Sequence, residues 1–229
     1  MSEEFYIGYV DRAPTATARF VKRAVIAAGA ASLIIGITVV AAQKRFGTGT
    51  FEFGTTRVFD GTIYATPAPH LAAADGTYLL VARLKHGADV ARFDGQSVRV
   101  HGTLVQREGG RMIELADVSP AAGATRAEPV QRLGIADLDG EIADSKCWLG
   151  VMNPGERKVH RDCASLCIRG GIPPLFIAPH VQAVMVTHDD RPMNEAVLGI
   201  VGEPVHVRGE LLQRGGLKFL RVENMARLR

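Results

Sequence analysis

The chain repeats itself. Residues 94–118 read DGQSVRVHGTLVQREGGRMIELADV and residues 201–225 read VGEPVHVRGELLQRGGLKFLRVENM, and the two align without a gap at an offset of 107. Shared positions include Gly95/Gly202, Val98/Val205, Val100/Val207, Gly102/Gly209, Leu104/Leu211, Gln106/Gln213, Arg107/Arg214 and Gly109/Gly216. A period of about 100 residues implies two homologous small units and excludes a solenoid of short modules. Each copy alternates Val–x–Val–x–Gly–x–Leu, the period of a half-buried strand. A glycine turn (Glu108-Gly109-Gly110; Gly215-Gly216) then leads to a second strand, residues 112–118 or 218–225. Gly102 and Gly209 interrupt strands, which predicts a bulge or a bend. Upstream, residues 57–64 (with Gly61) and 135–143 (with Gly140) read as opening strands, and 78–84 and 175–186 as further apolar strands.

Before the repeat lies a stretch decided by solvent physics. Residues 24–42, AVIAAGAASLIIGITVVAA, carry no charge. As a helix they span about 28 Å, close to the hydrocarbon thickness of a bilayer. Lys22-Arg23 and Lys44-Arg45 mark the two interfaces. No polar face appears at any helical phase, and nothing else in the chain is long enough to wrap it as a buried soluble helix. A cleaved signal peptide is the rival reading, because Val40-Ala41-Ala42 is an acceptable cleavage site. The apolar run is longer than the usual stretch of about 7–15 residues, and a long head precedes it, so an uncleaved anchor is expected. Arg12, Arg19, Lys22 and Arg23 before the span outnumber Lys44, Arg45 and Arg57 after it. That excess places residues 1–23 in the cytoplasm as a head peptide, and the remainder outside the inner (plasma) membrane, in the periplasm or its equivalent.

Four or five short strands with glycines at the bends, in about 70–95 residues, resemble an OB-like barrel. The expected fold is mainly β: two tandem small OB-like β-barrels, residues 51–118 and 135–227, after one N-terminal transmembrane helix. Residues 119–134, which begin SPAAGATRAEP, form the linker. The likeness is one of fold, and fold does not give function.

The duplication supplies its own comparison. Gly61 and Gly95 are 34 residues apart, whereas Gly140 and Gly202 are 62 apart, so the second copy carries 28 additional residues. All three cysteines of the chain lie in that interval, within an insertion at 144–174. Asn153-Pro154-Gly155-Glu156 has the form of a helix start, and Gly170-Gly171 with Pro173 that of a helix end. A helix of about 15 residues is therefore predicted in the insertion. On it, Glu156, His160, Cys163 and Cys167 share one face, and Cys147 folds back onto it. Cys147, His160, Cys163 and Cys167 form a candidate metal set, with Glu156 and Trp148 beside it. Four N/S ligands suit zinc, and thiolates with imidazole also suit copper.

The spacing of Cys163 and Cys167 is similar to that of the copper-binding cysteines in Sco-type chaperones and in the dinuclear copper domain of cytochrome oxidase. His160 precedes the pair here, whereas a histidine follows it in the latter, and the folds differ. The likeness raises copper as a cofactor and transfers no other residue. Two further readings stay open. Cys147 bridges to Cys163 or Cys167 as a structural disulfide, or one thiol is reactive, its thiolate favoured by His160 and Arg161.

Composition narrows the function classes. A balance of 27 Lys+Arg against 24 Asp+Glu, with aromatics at 6%, supplies neither the basic groove nor the stacking platforms that nucleic acid requires. No phosphate loop, nucleophile elbow or zinc-protease motif is present. The expected function is that of a membrane-anchored extracytoplasmic accessory or assembly protein of a membrane complex, of redox or respiratory type, working through the Cys/His insertion. The alternative is an extracytoplasmic binding or scaffold module with purely structural cysteines.

Overall fold

A computed structural model describes residues 13–43, 48–123 and 128–228. Most of the head peptide, the Lys44-Arg45 flank and residues 124–127 of the predicted linker lie outside the described residues. The chain divides into two compact units, Met1–Arg45 and Phe46–Arg229.

Among its described residues the first unit holds one helix, α1 (Thr15–Ala42, 28 residues), which follows Pro14 and ends where Gln43 turns extended. Its most apolar stretch has a mean hydropathy of 2.4, and none of it is buried against protein. Its length and composition are those of a single membrane-crossing helix.

The second unit is built from β1 (Thr50–Phe51), β2 (Arg57–Tyr64), β3 (His70–Ala73), β4 (Gly76–Val81), β5 (Ser97–Arg107), β6 (Gly110–Pro120), β7 (Val130–Asp144), β8 (Pro174–Ala178), β9 (Val181–Val186), β10 (Pro204–Arg214) and β11 (Leu217–Arg227). Helices α2 (Arg161–Arg169) and α3 (Asn194–Val197) lie in the second copy. The hairpin β10–β11 reproduces β5–β6 with every boundary displaced by 107 residues. In both hairpins the register slips at the predicted glycine, between His101 and Gly102 and between Arg208 and Gly209. A Cβ on Gly209 would lie 2.3 Å from the Arg221 carbonyl oxygen, so the bulge needs a residue without a side chain.

The expected tandem of like barrels does not form. Strands β7–β11 close into a five-stranded barrel in the order β10-β11-β9-β8-β7. The first copy is instead a six-stranded sheet, β1-β5-β2-β3-β4-β6, in which β5 also pairs with β6. The strands also differ in length. β7 has 15 residues and pairs along all of β10. β2 has 8 and covers β5 only from Ser97 to Gly102, so Thr50 and Phe51 add to the same edge at Gln106 and Val105.

The copies also share a core. Ile63, Leu71, Leu80, Val98 and Ile113 fill the interior of the first sheet, and Ile142, Phe176, Met185, Val205 and Leu220 fill the barrel. A third cluster draws Leu79, Val81, Val105 and Met112 from the first copy and Ala143, Trp148, Leu175, Val184 and Phe219 from the second. Successive residues of a strand face opposite ways, so β4 sends Leu80 inward and Leu79 and Val81 to the shared cluster.

Residues 145–173 connect β7 to β8, where residues 65–69 make the equivalent connection from β2 to β3. The predicted 15-residue helix is a shorter one. A π-helical turn covers Cys147–Val151, a 3-10 turn covers Lys158–His160, and α2 holds nine residues. Arg157 has φ 66°, left-handed backbone that no α-helix passes through. Gly155 packs against the Cys147 carbonyl, where a Cβ would lie at 2.3 Å. Glu156 is therefore off the helix.

Candidate metal centre in the second-copy insertion

The site begins at the end of β7. Asp144, fully buried, accepts the backbone N–H of Cys147 on Oδ1 at 2.8 Å and so holds the turn that carries this cysteine. Lys146 beside it points toward the first copy. Its Nζ donates to the carbonyls of Ala82 (3.1 Å) and Leu84 (2.7 Å) and pairs with Glu114 at 2.5 Å. All three ammonium donors are thus satisfied, as a buried lysine requires.

Helix α2 presents Cys163 and Cys167 one turn apart on one face. Its C-terminal end rests on the first copy, where Gly87 donates its N–H to the Gly170 carbonyl at 3.0 Å. A Cβ on Gly170 would lie 1.8 Å from the Lys85 carbonyl oxygen. The helix is thereby set where its two thiols meet Cys147.

The Sγ atoms of Cys147, Cys163 and Cys167 all lie within 4.8 Å of one another. Thiolates on one zinc ion, at about 2.3 Å each, would be about 3.8 Å apart, so a small closure suffices. Cys147 and Cys167 are 3% and 2% exposed, while Cys163 is half-buried, and all three are free thiols. Cys147 donates to Cys167, which with burial pushes the Cys147 thiol far up and holds Cys167 below the ordinary thiol range. Burial raises Cys163, and the Lys85 ammonium pulls it the other way.

His160 does not join the three thiols as a fourth member of that set. It groups with Asp144 and Cys147 in a second, wholly buried set, also within 4.8 Å, with Nε2 3.3 Å from Asp144 Oδ2. Cys147 belongs to both sets. Glu156 and Trp148 supply a ligand atom to neither. The Trp148 indole N–H donates to Glu156 at 3.1 Å, and the Arg107 guanidinium from β5 stacks 4.3 Å over the indole ring. Arg107 also donates to the Trp148 carbonyl and to Glu156. The pair fastens the insertion to the first copy, with Trp148 as part of the shared core.

Asp144, Lys146 and Lys85 escape a search by ligand spacing. The available signal for Asp144 is its place three residues before Cys147, the spacing of a side-chain cap. Among the described residues, no histidine other than His160 belongs to either set. His188 is exposed, and His180 sits in the β8–β9 turn with φ 65°. His70 is buried, its Nδ1 bonded to the Ala68 carbonyl, and burial lowers its pKa to about 4.

A groove of about 500 Å³ lies elsewhere, between the Glu108–Gly110 turn and the β8–β9 turn, and no Phe, Tyr or Trp lines it.

Three thiols converging in a mostly dry pocket form a soft-donor site, suited to copper(I) or zinc. No protein-family model, curated protein or solved structure matches the chain.

Proposed function

We propose that this protein is a bilayer-anchored accessory protein that holds a thiophilic metal ion, copper(I) or zinc, on Cys147, Cys163 and Cys167 in service of a membrane complex. The convergence of three free thiols within 4.8 Å carries the reading. It is supported by the confinement of every cysteine to the one insertion that distinguishes the copies. The excess of positive charge before the span supports an extracytoplasmic side for this unit, where unprotected thiols at such distances oxidise. A bound ion keeps them reduced. The half-buried Cys163 is the side from which the ion is exchanged with a redox complex under assembly.

The test uses the full chain, purified in detergent without chelator. Metal is counted by elemental mass spectrometry and free thiols on the same sample. About one equivalent of copper or zinc, lost in Cys163→Ser, is the expected result. No metal with one free thiol and one disulfide overturns it and establishes the cysteines as a structural staple.

A further inference from the structure

We propose that the insertion is a two-ion centre, in which the Cys147 thiolate bridges a soft ion on Cys163 and Cys167 to a second, divalent ion on Asp144 and His160. This rests on the metal reading of the three thiols and extends it.

Two observations carry it. The first is geometric. The sulfur set and the Asp144–Cys147–His160 set each close within 4.8 Å, and they have Cys147 alone in common. A thiolate keeps lone pairs after binding one ion, so a single sulfur serves both. The alternative of one ion on three cysteines and His160 requires four donor atoms in one set, and His160 is not in the set with all three sulfurs.

The second is electrostatic. Asp144 is 0% exposed, and its carboxylate sits beside a thiol cluster that loses protons when it takes up metal. The nearest buried ammonium, Lys146, is committed to Glu114 and two carbonyls. Lys85 acts on Cys163 and Cys167 but is itself exposed. Among the described residues, the basic side chain that reaches the carboxylate is His160, with Nε2 at 3.3 Å, longer than a good hydrogen bond. Burying several anions without cations is strongly unfavourable. A divalent ion between Asp144, His160 and Cys147 offsets that charge. A carboxylate, an imidazole and a thiolate form a borderline donor set that fits zinc, with a fourth position open.

The experiment is a cobalt(II) titration of the reduced full-length chain in detergent, followed by metal count and electron paramagnetic resonance. Two equivalents are expected. The signal rises with the first and falls with the second, because cobalt ions joined through one sulfur couple antiferromagnetically. His160→Ala is expected to reduce the count from two to one while keeping thiolate-to-cobalt charge-transfer absorption. A single equivalent in the wild-type chain overturns the second ion and leaves the thiol site standing. Two equivalents with additive signals overturn the bridge. No bound cobalt overturns this inference, while the thiol site itself stands or falls on the elemental count of copper or zinc described above. The wild-type readouts do not depend on whether the variant folds.

Discussion

Lys146 and Glu114 form a 2.5 Å ion pair between the insertion of the second copy and strand β6 of the first, with the lysine side chain only 3% exposed. A buried pair adds little net stability over an apolar replacement, but breaking it leaves a stranded charge. Glu114→Gln and Lys146→Met should each lower unfolding free energy by about 3 kcal/mol. The double variant should lose less than the sum. Chemical denaturation of all four proteins in a double-mutant cycle measures this, and additive losses would mean that the contact carries no coupling.

Gly170 separates packing from backbone strain. Its φ is −75°, open to any residue, yet a Cβ would meet the Lys85 carbonyl at 1.8 Å. Gly170→Ala should therefore destabilise the protein by about 2 kcal/mol or more through overpacking, and should lower metal affinity by shifting α2. Gly199→Ala, with nothing within 4 Å of its added carbon, is the control and should stay near neutral. Matched thermal melts and metal titrations of the two variants compare them directly.

Removing Arg107 should loosen the insertion from the other side. Arg107→Met deletes the hydrogen bond to the Trp148 carbonyl, the pair with Glu156 and the cation over the indole. A loss of about 2–4 kcal/mol is expected from stranding Glu156 and the carbonyl. Trp148 fluorescence should shift to longer wavelength in the native state. An unchanged spectrum would show that the indole is held by apolar packing alone.

His70 gives the fold an acid-sensitive step away from the thiols. Its folded pKa is lowered to about 4 from an ordinary 6.5, chiefly by burial. Below pH 6.5 the unfolded chain takes up a proton that the folded chain refuses until about pH 4. The stability contribution is complete above pH 6.5 and is lost as pH falls toward 4, by about 3 kcal/mol in all. His70→Phe should flatten this part of the stability profile. An unaltered slope in the variant would assign the step to other groups.

What the sequence discloses follows the range of the forces involved. The uncharged run at 24–42 and the glycine bulges at Gly102 and Gly209 are local matters of hydropathy and steric fit, and both are visible in the chain itself. The shared core is less visible, although Tyr78–Val81 and Ala183–Val186 are buried along their whole length and so lack a solvent-facing partner in the alternation. Unbroken apolar runs of this kind signal strands covered on both faces. Read as faces of two separate barrels, they conceal the third cluster.

The insertion misleads for the opposite reason. Asn153–Glu156 has helix-start chemistry, but Glu156 is drawn to Trp148 and to Arg107, which lies 49 residues away in sequence. A contact at that separation overrides local propensity. Asp144 carries the spacing of a cap, three residues before Cys147, but no ligand spacing, and it becomes prominent as a donor only when Cys147 and His160 close around it.

The cluster that unites Val105 and Met112 with Val184 and Phe219 makes the chain its own dimer partner. Two subunits meeting through such a face would separate on dilution. Here a covalent link holds them at an effective concentration that free subunits do not reach. The halves should thus melt in one cooperative transition at any protein concentration, and neither should persist when cut from the other. A duplication that appears modular in the sequence has become an obligate pair, free to elaborate chemistry in one member while the other serves as its permanent wall.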